Sequence, residues 1–305
     1  MDPLSQILAL LRPEAVGWQL FEAHNAWTLR FFPKPEVIVF GQAITGGCDI
    51  LREDGQDFRV STGDFMMMAS PPPWSMRALG GGPSVDFKAL LADPSLLTIS
   101  GRPQAVTRFI AGHFTFATGM DILAKMMLPI VHVRATDVAA GRLGTLLALL
   151  GEEATADRPG RSHMLERLLE TILVEVLRQP GLGWDNTKRG LLAGMADPRI
   201  GKALRLIHAG TTRALTVSDL AQAAGMSRSA FAARFALIVG TSPIDYLSDW
   251  RMTLARQALE ANTRSVADIA ELAGYQSVSA FSTAFRRLTG MSPTSYTRIA
   301  GSPRP

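Results

Sequence analysis

The sequence contains very little cysteine: Cys48 is the only one among 305 residues. A single cysteine excludes an intrachain disulfide and a cysteine-rich zinc site. No apolar run approaches the roughly 18 to 20 residues that cross a bilayer, and the first residues, Met1-Asp2-Pro3-Leu4, lack a basic stretch followed by an apolar one. We therefore expect a cytoplasmic protein without a membrane span, in which Cys48 is either a small buried strand residue or a redox-sensing thiol.

Charged residues make up 19% of the chain and hydrophobic residues 47%, an ordinary globular composition with no bias toward a fibrous or disordered protein. The length is sufficient for two domains that each bury a core. The net charge of +4 is uneven, since residues 197–305 carry 13 Arg and Lys against 7 Asp and Glu, whereas residues 1–196 carry 18 against 20. The C-terminal third is thus the part that would attract a polyanion.

The first half of the chain reads as short strands and its middle as helices. Apolar runs at 37–40, 48–51, 58–60 and 65–68, separated by glycine-containing turns, predict a β-barrel or sandwich, with further strands at 85–91 and 128–133. Later apolar side chains recur at helical steps: Leu165, Leu168, Leu169, Ile172, Leu173, Val176 and Leu177. This helix and a shorter one at 142–150 either cover the β domain or pair two chains as a dimer.

An internal repeat dominates the C-terminal third. Residues 217–226 match residues 266–275 at an offset of 49, and four later positions match at an offset of 50: Phe231, Phe235, Gly240 and Pro243 correspond to Phe281, Phe285, Gly290 and Pro293. In each copy a glycine permits a tight turn, a serine caps the next helix, and two phenylalanines four apart bury one helix face. The pattern predicts helix-turn-helix units at about 216–238 and 265–288.

The segment between the two units has a length that suits duplex DNA. Between Pro243 and Asn262 lie 18 residues, which as a helix span about 27 Å at about 1.5 Å per residue. With its flanking turns this helix brings the units near the roughly 34 Å that separates successive major-groove faces. One chain would therefore read two adjacent grooves.

The repeat resembles the DNA-binding domain of the AraC/XylS family. The resemblance rests on two copies of Gly-x-Ser-Pro, at 240–243 and 290–293, and on the segments 197–204, 251–259 and 265–277. The β-rich half resembles the cupin-like sensor domain of one AraC/XylS subgroup, through residues 2–5, 10–13, 63–65 and 112–116. Together these imply a sequence-specific DNA-binding transcription regulator, an activator by family analogy, with RNA polymerase as a partner.

We accordingly predict an α+β multidomain protein. Residues 1–180 form a cupin-like β-barrel with trailing helices, which senses an effector and dimerises; residues 181–196 are a linker; residues 197–300 are an all-α double helix-turn-helix domain. The expected partners are double-stranded DNA, a second copy of the chain as a homodimer, and a small apolar effector. No cofactor is expected.

Base-reading side chains are expected at the start and on the outward face of each second helix. They are Ser227, Arg228, Ser229, Ala232 and Ala233 in the first unit, and Gln276, Val278, Ser279, Ser282 and Thr283 in the second. The caps are Ser227 and Ser277, and Ser277 is also expected to contact DNA. The side chains expected to donate hydrogen bonds to DNA phosphates are Arg228, Arg234, Arg251, Arg286 and Arg287. The alternative for each of them is a solvated surface charge. Ala232 and Ala233 offer only methyl contact, so DNA shape would carry more of the specificity. Residues 236–239 are interpreted as core, with packing of some of them on the partner domain as the alternative.

The predicted sensor domain lacks the usual metal ligands of a cupin. His24, His113 and His132 are far apart in sequence, and Trp74 stands where the resemblance would place the last ligand, so we expect no metal site. The barrel interior would instead hold a small apolar effector, unless its side chains are plain core. The expected wall residues are Phe40, Phe58, Met66, Met68 and Trp74, with Met67 a further candidate.

Two alternative functions stay open. An architectural DNA binder without an effector would fit the short side chains of the recognition helices. A cupin enzyme with an accessory DNA-binding module would need a metal constellation, which the histidine spacing does not supply.

Overall fold

The computed structural model describes residues 2–24, 26–33, 37–92, 106–116, 130–138, 141–179, 190–209 and 215–300. The strands of these residues are β1 (Glu14–His24), β2 (Thr28–Phe31), β3 (Ile38–Thr45), β4 (Gly47–Arg52), β5 (Phe58–Ser61), β6 (Phe65–Ala69), β7 (Trp74–Ala78), β8 (Ser84–Asp86), β9 (Val106–Thr115) and β10 (Ile130–Val133). Helices α1 (Pro3–Leu11) and α2 (Phe87–Ala92) accompany them, followed by α3 (Ala135–Val138), α4 (Arg142–Thr155) and α5 (Arg161–Arg178).

The remaining helices form the C-terminal part of the chain. They are α6 (Leu191–Ala196), α7 (Ile200–His208), α8 (Val217–Ala223), α9 (Arg228–Val239), α10 (Pro243–Ala261), α11 (Val266–Leu272), α12 (Val278–Thr289) and α13 (Pro293–Ala300). The chain divides into two compact units. Among the described residues, the sheet unit comprises 13–92, 106–116 and 130–179, and the helical unit comprises 2–12 and 190–300. Within the described part of the chain, no helix is long and apolar enough to span a membrane.

The strands of the sheet unit form two five-stranded sheets, in the orders β1-β9-β3-β6-β10 and β5-β4-β7-β2-β8. Side chains alternate between the two faces of each strand. In β6, Met66 and Met68 join an apolar cluster with residues of the second sheet such as Ile50 and Met76, whereas Phe65 and Met67 are buried outside that cluster. The sheet-rich N-terminal fold is confirmed, although the described strands pair as two sheets and not as one closed ring.

One predicted strand is largely helical. Residues 84–86 form β8, which pairs with β2 over three residues, and the chain then turns into α2. The interpretation of 85–91 as a strand was therefore wrong after Asp86. Lys88, Ala89 and Leu91 are exposed while Leu90 is buried, and all four are good helix formers.

The apolar face of the second trailing helix lies against its own chain. Six of the seven predicted side chains on α5 are buried, and α5 packs on α4 and β1. Two interpretations of these helices were left open, and coverage of the β domain explains why the apolar face of α5 is buried.

The helical unit begins before the predicted DNA-binding domain. Helix α6, within the range predicted as a linker, packs on α7 and α9. A Cβ added at Gly194 would lie 2.8 Å from Val239, so a glycine is needed for this close approach. At the other end of the chain, α1 also belongs to the helical unit and contacts α7.

Candidate nucleic-acid interface

Both copies of the repeat begin with the same capping arrangement. The Thr216 side chain accepts from the Asp219 amide, and the Asp219 carboxylate accepts from the Thr216 amide. Ser265 and Asp268 form the same reciprocal capping box at α11. Each box satisfies two of the free amides at a helix N-terminus, so the first helix of each unit starts at a defined residue.

The two turns and the second helices also repeat. Gly225 and Gly274 have φ of +64° and +77°, in the left-handed region that favours glycine. Ser227 then accepts from the Ala230 amide and Ser277 from the Ala280 amide, so α9 and α12 begin at equivalent positions. Both predicted helix-turn-helix units are thus present, joined by α10, which starts at Pro243 and runs for 19 residues.

Aromatic side chains form the core of each unit. The ring centroids of Phe231 and Phe235 are 5.6 Å apart, as are those of Phe281 and Phe285. A tyrosine follows at the same offset in each copy: Tyr246 lies 5.8 Å from Phe235, and Tyr296 lies 5.4 Å from Phe285. Sequence reasoning missed these tyrosines, although continuing the repeat three residues beyond each Gly-x-Ser-Pro motif finds both.

The two tyrosines have different partners. The Tyr246 hydroxyl lies 2.7 Å from Nε2 of His208, and both residues are buried. Burial lowers the pKa of His208 to about 4 and raises that of Tyr246 above its ordinary range, so this pair is neutral. The Tyr296 hydroxyl donates to Glu260 at 2.6 Å, in a half-buried position, and burial together with this carboxylate raises the pKa of Tyr296 to about 12.

The outward face of the first recognition helix, α9, is short and weakly polar. Ser227, Arg228, Ser229 and Ala233 are exposed, and Ala232 is half-buried. Ala236 is exposed and Leu237 is 60% exposed, so the interpretation of 236–239 as core was wrong at these two positions, while Val239 is buried. Arg234 donates to Asp197 at 2.6 Å, and Asp197 also accepts from the first amides of α7. That guanidinium therefore holds α9 to α7.

The second recognition helix, α12, presents more polar and cationic groups. Gln276, Ser277, Val278, Ser279 and Thr283 are exposed and Ser282 is half-buried. Arg286 and Arg287, in its last turn, are exposed, and neither forms an ion pair with any residue that the structure describes. Arg251 differs from them because its guanidinium packs on the turn, with Cζ 3.0 Å from the place a Gly274 Cβ would occupy. Burial there lowers the pKa of Arg251.

Two kinds of comparison decide the family. Residues 2–180 match the family described as Cupin, and residues 220–299 match a family described as Helix-turn-helix domain. A relative from Streptomyces lividans, named as an AraC-like transcription regulator, is 35% identical over 97% of this chain and 98% of its own length. One with the same name from Streptomyces antibioticus is 32% identical over the same shares of the two chains. The chain belongs to the AraC-like transcription regulators.

This AraC-like regulator is accordingly a DNA-binding protein that regulates transcription, and its helix-turn-helix units are the DNA-binding part. A solved transcriptional regulator with an AraC-type DNA-binding domain, from Chromobacterium violaceum, is also similar to it. That structure is 27% identical, with a TM-score of 0.33, and the match covers 35% of this chain and 96% of that one.

Five residues of this AraC-like regulator were predicted to line an effector pocket, and four of them lie in the apolar cluster between the two sheets. Phe58, Met66, Met68 and Trp74 are buried together between the sheets. Phe40 lies on the opposite face of β3 from Val39 and Ala43, which pack in that cluster, and its ring lies 4.9 Å from Phe114. The structure therefore separates Phe40 from the other four. Met67, the further candidate, pairs with Phe40 in the sheet register.

The histidines and the cysteine of the sheet unit have separate surroundings. Nε2 of His132 lies 3.1 Å from Asp64, Nε2 of His24 lies 3.1 Å from Glu22, and His113 lies beside Gly17. Among the described residues, no three His, Cys, Asp or Glu side chains are grouped as metal ligands. Cys48 is fully buried, and this burial, with the nearby Asp49 charge, raises the pKa of its thiol, which disfavours the reactive thiolate.

Proposed function

We propose that this regulator binds a specific DNA site through both recognition helices, with α12 as the principal contact. The observation that carries the proposal is the pair of equivalently capped units with exposed second helices, of which α12 ends in two arginines that form no ion pair with a described residue. Ser279, Ser282 and Thr283 read base edges, and Arg286 and Arg287 bind phosphate. In the first unit, Arg228 binds phosphate, and Ala232 and Ala233 add methyl contacts.

We assign Arg234 no share of the phosphate binding, and Arg251 a smaller share than the sequence suggested. Arg234 is held by Asp197, and Arg251 is partly buried on the turn at Gly274. A guanidinium that already has an anionic or packed partner gives up that interaction when it binds phosphate. The backbone amides at the starts of α9 and α12 supply further phosphate contacts.

The sheet unit is proposed to sense a small molecule and to pair two chains. As an activator in the cytoplasm, the dimer would place its DNA-bound units beside RNA polymerase, as the family resemblance implies. An effector acts only if it binds one arrangement of the protein more tightly than another. We propose no enzymatic activity, because the relatives that match nearly the whole chain are named as transcription regulators.

The test is a footprint on DNA fragments selected by the full-length protein from a genomic library. Regulation through two helix-turn-helix units predicts a protected site of about 17 to 20 base pairs that spans two groove turns. A protein that covers random fragments with no preferred boundary would instead be an architectural binder. The short side chains on α9 favour that second candidate, and the footprint separates the two.

A further inference from the structure

A groove opens in the sheet unit between β3 and α4, beside Ala43, which also belongs to the apolar cluster that holds Phe58 and Trp74. Its volume is about 320 Å³. Strand β3 contributes its floor, the β5–β6 turn one end, and helix α4 the wall, including Gln42, Ile44, Gly63, Leu147, Glu152 and Thr155. All of these residues belong to one compact unit.

The floor of the groove contains a buried acceptor without a partner. Gln42 is 3% exposed, and its Nε2 donates to the Leu147 carbonyl of α4 at 2.9 Å. The reverse amide orientation would bring two oxygens together, so this bond fixes which way the amide points. Its Oε1 is buried and has no hydrogen-bond partner among the described residues. A buried oxygen in this state is costly unless a donor reaches it.

The wall and rim of the groove are acceptors as well. Glu152 is exposed at the rim. The Thr155 hydroxyl uses its proton on the carbonyls of Gly151 and Glu152, at 3.1 Å each, so it presents lone pairs to a ligand. No Lys, Arg or His is among the described residues that line the groove. Beyond the end of this helix, Arg161 already donates to the carbonyl of buried Ala154.

The apolar part of the groove is small and open because of a glycine. A Cβ added at Gly151 would lie 3.6 Å from Cδ1 of Ile44, so a larger side chain at this position would occupy the space between helix and strand. Ile44 and Leu147 provide the apolar surface beside the acceptors. The groove therefore combines one carboxylate, neutral acceptors and a short apolar surface.

We infer that this groove binds a small amphipathic cation, a primary ammonium attached to a short alkyl or aryl body. The ammonium donates to Gln42 and pairs with Glu152, and the apolar body lies on Ile44 and Leu147. The role of such a ligand as effector rests on the function proposed above. Occupancy would stabilise the packing of α4 on β3, the contact that the bond from Gln42 to Leu147 now holds.

The test compares three probes of one shape on the full-length protein: hexylammonium, hexan-1-ol and hexanoate, by calorimetry at fixed ionic strength. Hexylammonium is expected to bind about two- to fivefold tighter than hexan-1-ol, the range of a partly exposed ion pair, and hexanoate weakest. Equal affinity of the three probes, or tightest binding of hexanoate, overturns the inference.

Two variants locate the site. Glu152→Gln is expected to remove the preference for hexylammonium over hexan-1-ol, while Glu153→Gln, next in the same helix but outside the groove lining, keeps it. Gly151→Leu is expected to abolish binding of both probes, with circular dichroism confirming the fold. If Glu152→Gln keeps the full preference, the ammonium binds elsewhere and the assignment is wrong.

DNA affinity measured with and without hexylammonium tests effector control separately. A shift that Glu152→Gln removes supports both the site and its regulatory role. Binding in the groove without any change in DNA affinity would count against effector control and leave the site established by the binding data.

Discussion

The two helix-turn-helix units share a scaffold and differ in what surrounds it. Both have a capping box, a left-handed glycine, a serine cap and a phenylalanine pair. The first unit is joined to neighbouring helices by a buried neutral pair, His208 with Tyr246, and by the ion pair of Arg234 with Asp197. In the second, the matching tyrosine has a half-exposed carboxylate partner, and Arg286 and Arg287 have no ion-pair partner among the described residues.

This difference indicates that the two units contribute differently to stability and to DNA affinity. Local signals that fix the turn recur in both copies because any helix-turn-helix needs them. Arg234 carries no such local constraint and pairs with Asp197 beside the first unit, whereas Arg286 and Arg287 of the second unit remain available for phosphate. We therefore expect changes in the first unit to act mainly on stability and changes in the second mainly on DNA affinity.

The largest expected effect is the acid sensitivity of the first unit. Because the His208 pKa falls from 6.5 to about 4 on folding, the unfolded chain binds the extra proton between these values. The stability from neutral His208 is present above pH 6.5 and is lost as the pH falls toward 4, by up to about 3 kcal/mol. Urea unfolding at several pH values, followed by circular dichroism, measures this slope.

The matched variants for this prediction are two histidine substitutions. His208→Gln is expected to flatten the pH dependence in that window, whereas His163→Gln, at a side chain that is 78% exposed, leaves it unchanged. A slope that survives His208→Gln would assign the acid sensitivity to another group.

The two tyrosines provide the next comparison. Tyr246→Phe leaves the buried His208 nitrogen without its partner and is expected to lower the free energy of unfolding by about 1 to 3 kcal/mol. Tyr296→Phe is expected to cost about 0.5 to 1 kcal/mol, because water reaches the half-exposed Glu260. Urea midpoints of the two variants check the ranking, and equal losses would contradict the tighter coupling of the first unit.

Base reading by α12 predicts a change of preference. Ser279→Ala or Thr283→Ala is expected to change relative affinity among selected sites by about fivefold, or about 1 kcal/mol for the removal of one hydroxyl hydrogen bond. Competition binding against single-base variants of the selected site measures it. Thr294→Ala, an exposed hydroxyl on α13, serves as the control. A uniform loss across all sites would remove Ser279 and Thr283 from the base readers.

The smallest expected effect concerns Arg234. Arg234→Ala is expected to lower the free energy of unfolding by less than about 1 kcal/mol, as for other partly exposed ion pairs, and to leave the salt dependence of DNA binding unchanged. A double-mutant cycle with Asp197→Asn measures the coupling. A reduced salt slope in Arg234→Ala would show that Arg234 does bind a DNA phosphate.

The features that sequence predicted well depend on neighbouring residues. Capping serines, turn glycines and phenylalanines four apart act within one helix or turn, so both units and the start of α10 at Pro243 could be placed. The features that it missed depend on distant contacts. The face of Phe40 follows from its register with Met67, the pair of His208 with Tyr246 joins residues 38 apart, and α6 is defined by its packing on α7 and α9.

The division between the units is tested most directly by the salt dependence of DNA binding by the full-length protein. The double variant Arg286→Ala with Arg287→Ala is expected to lower the slope of log affinity against log salt by about one for each phosphate that is no longer neutralised, about two in all. Lys88→Ala with Arg158→Ala removes the same charge from exposed positions in the sheet unit and should leave the slope unchanged. An unchanged slope in the first double variant, or an equal change in both, would contradict the account.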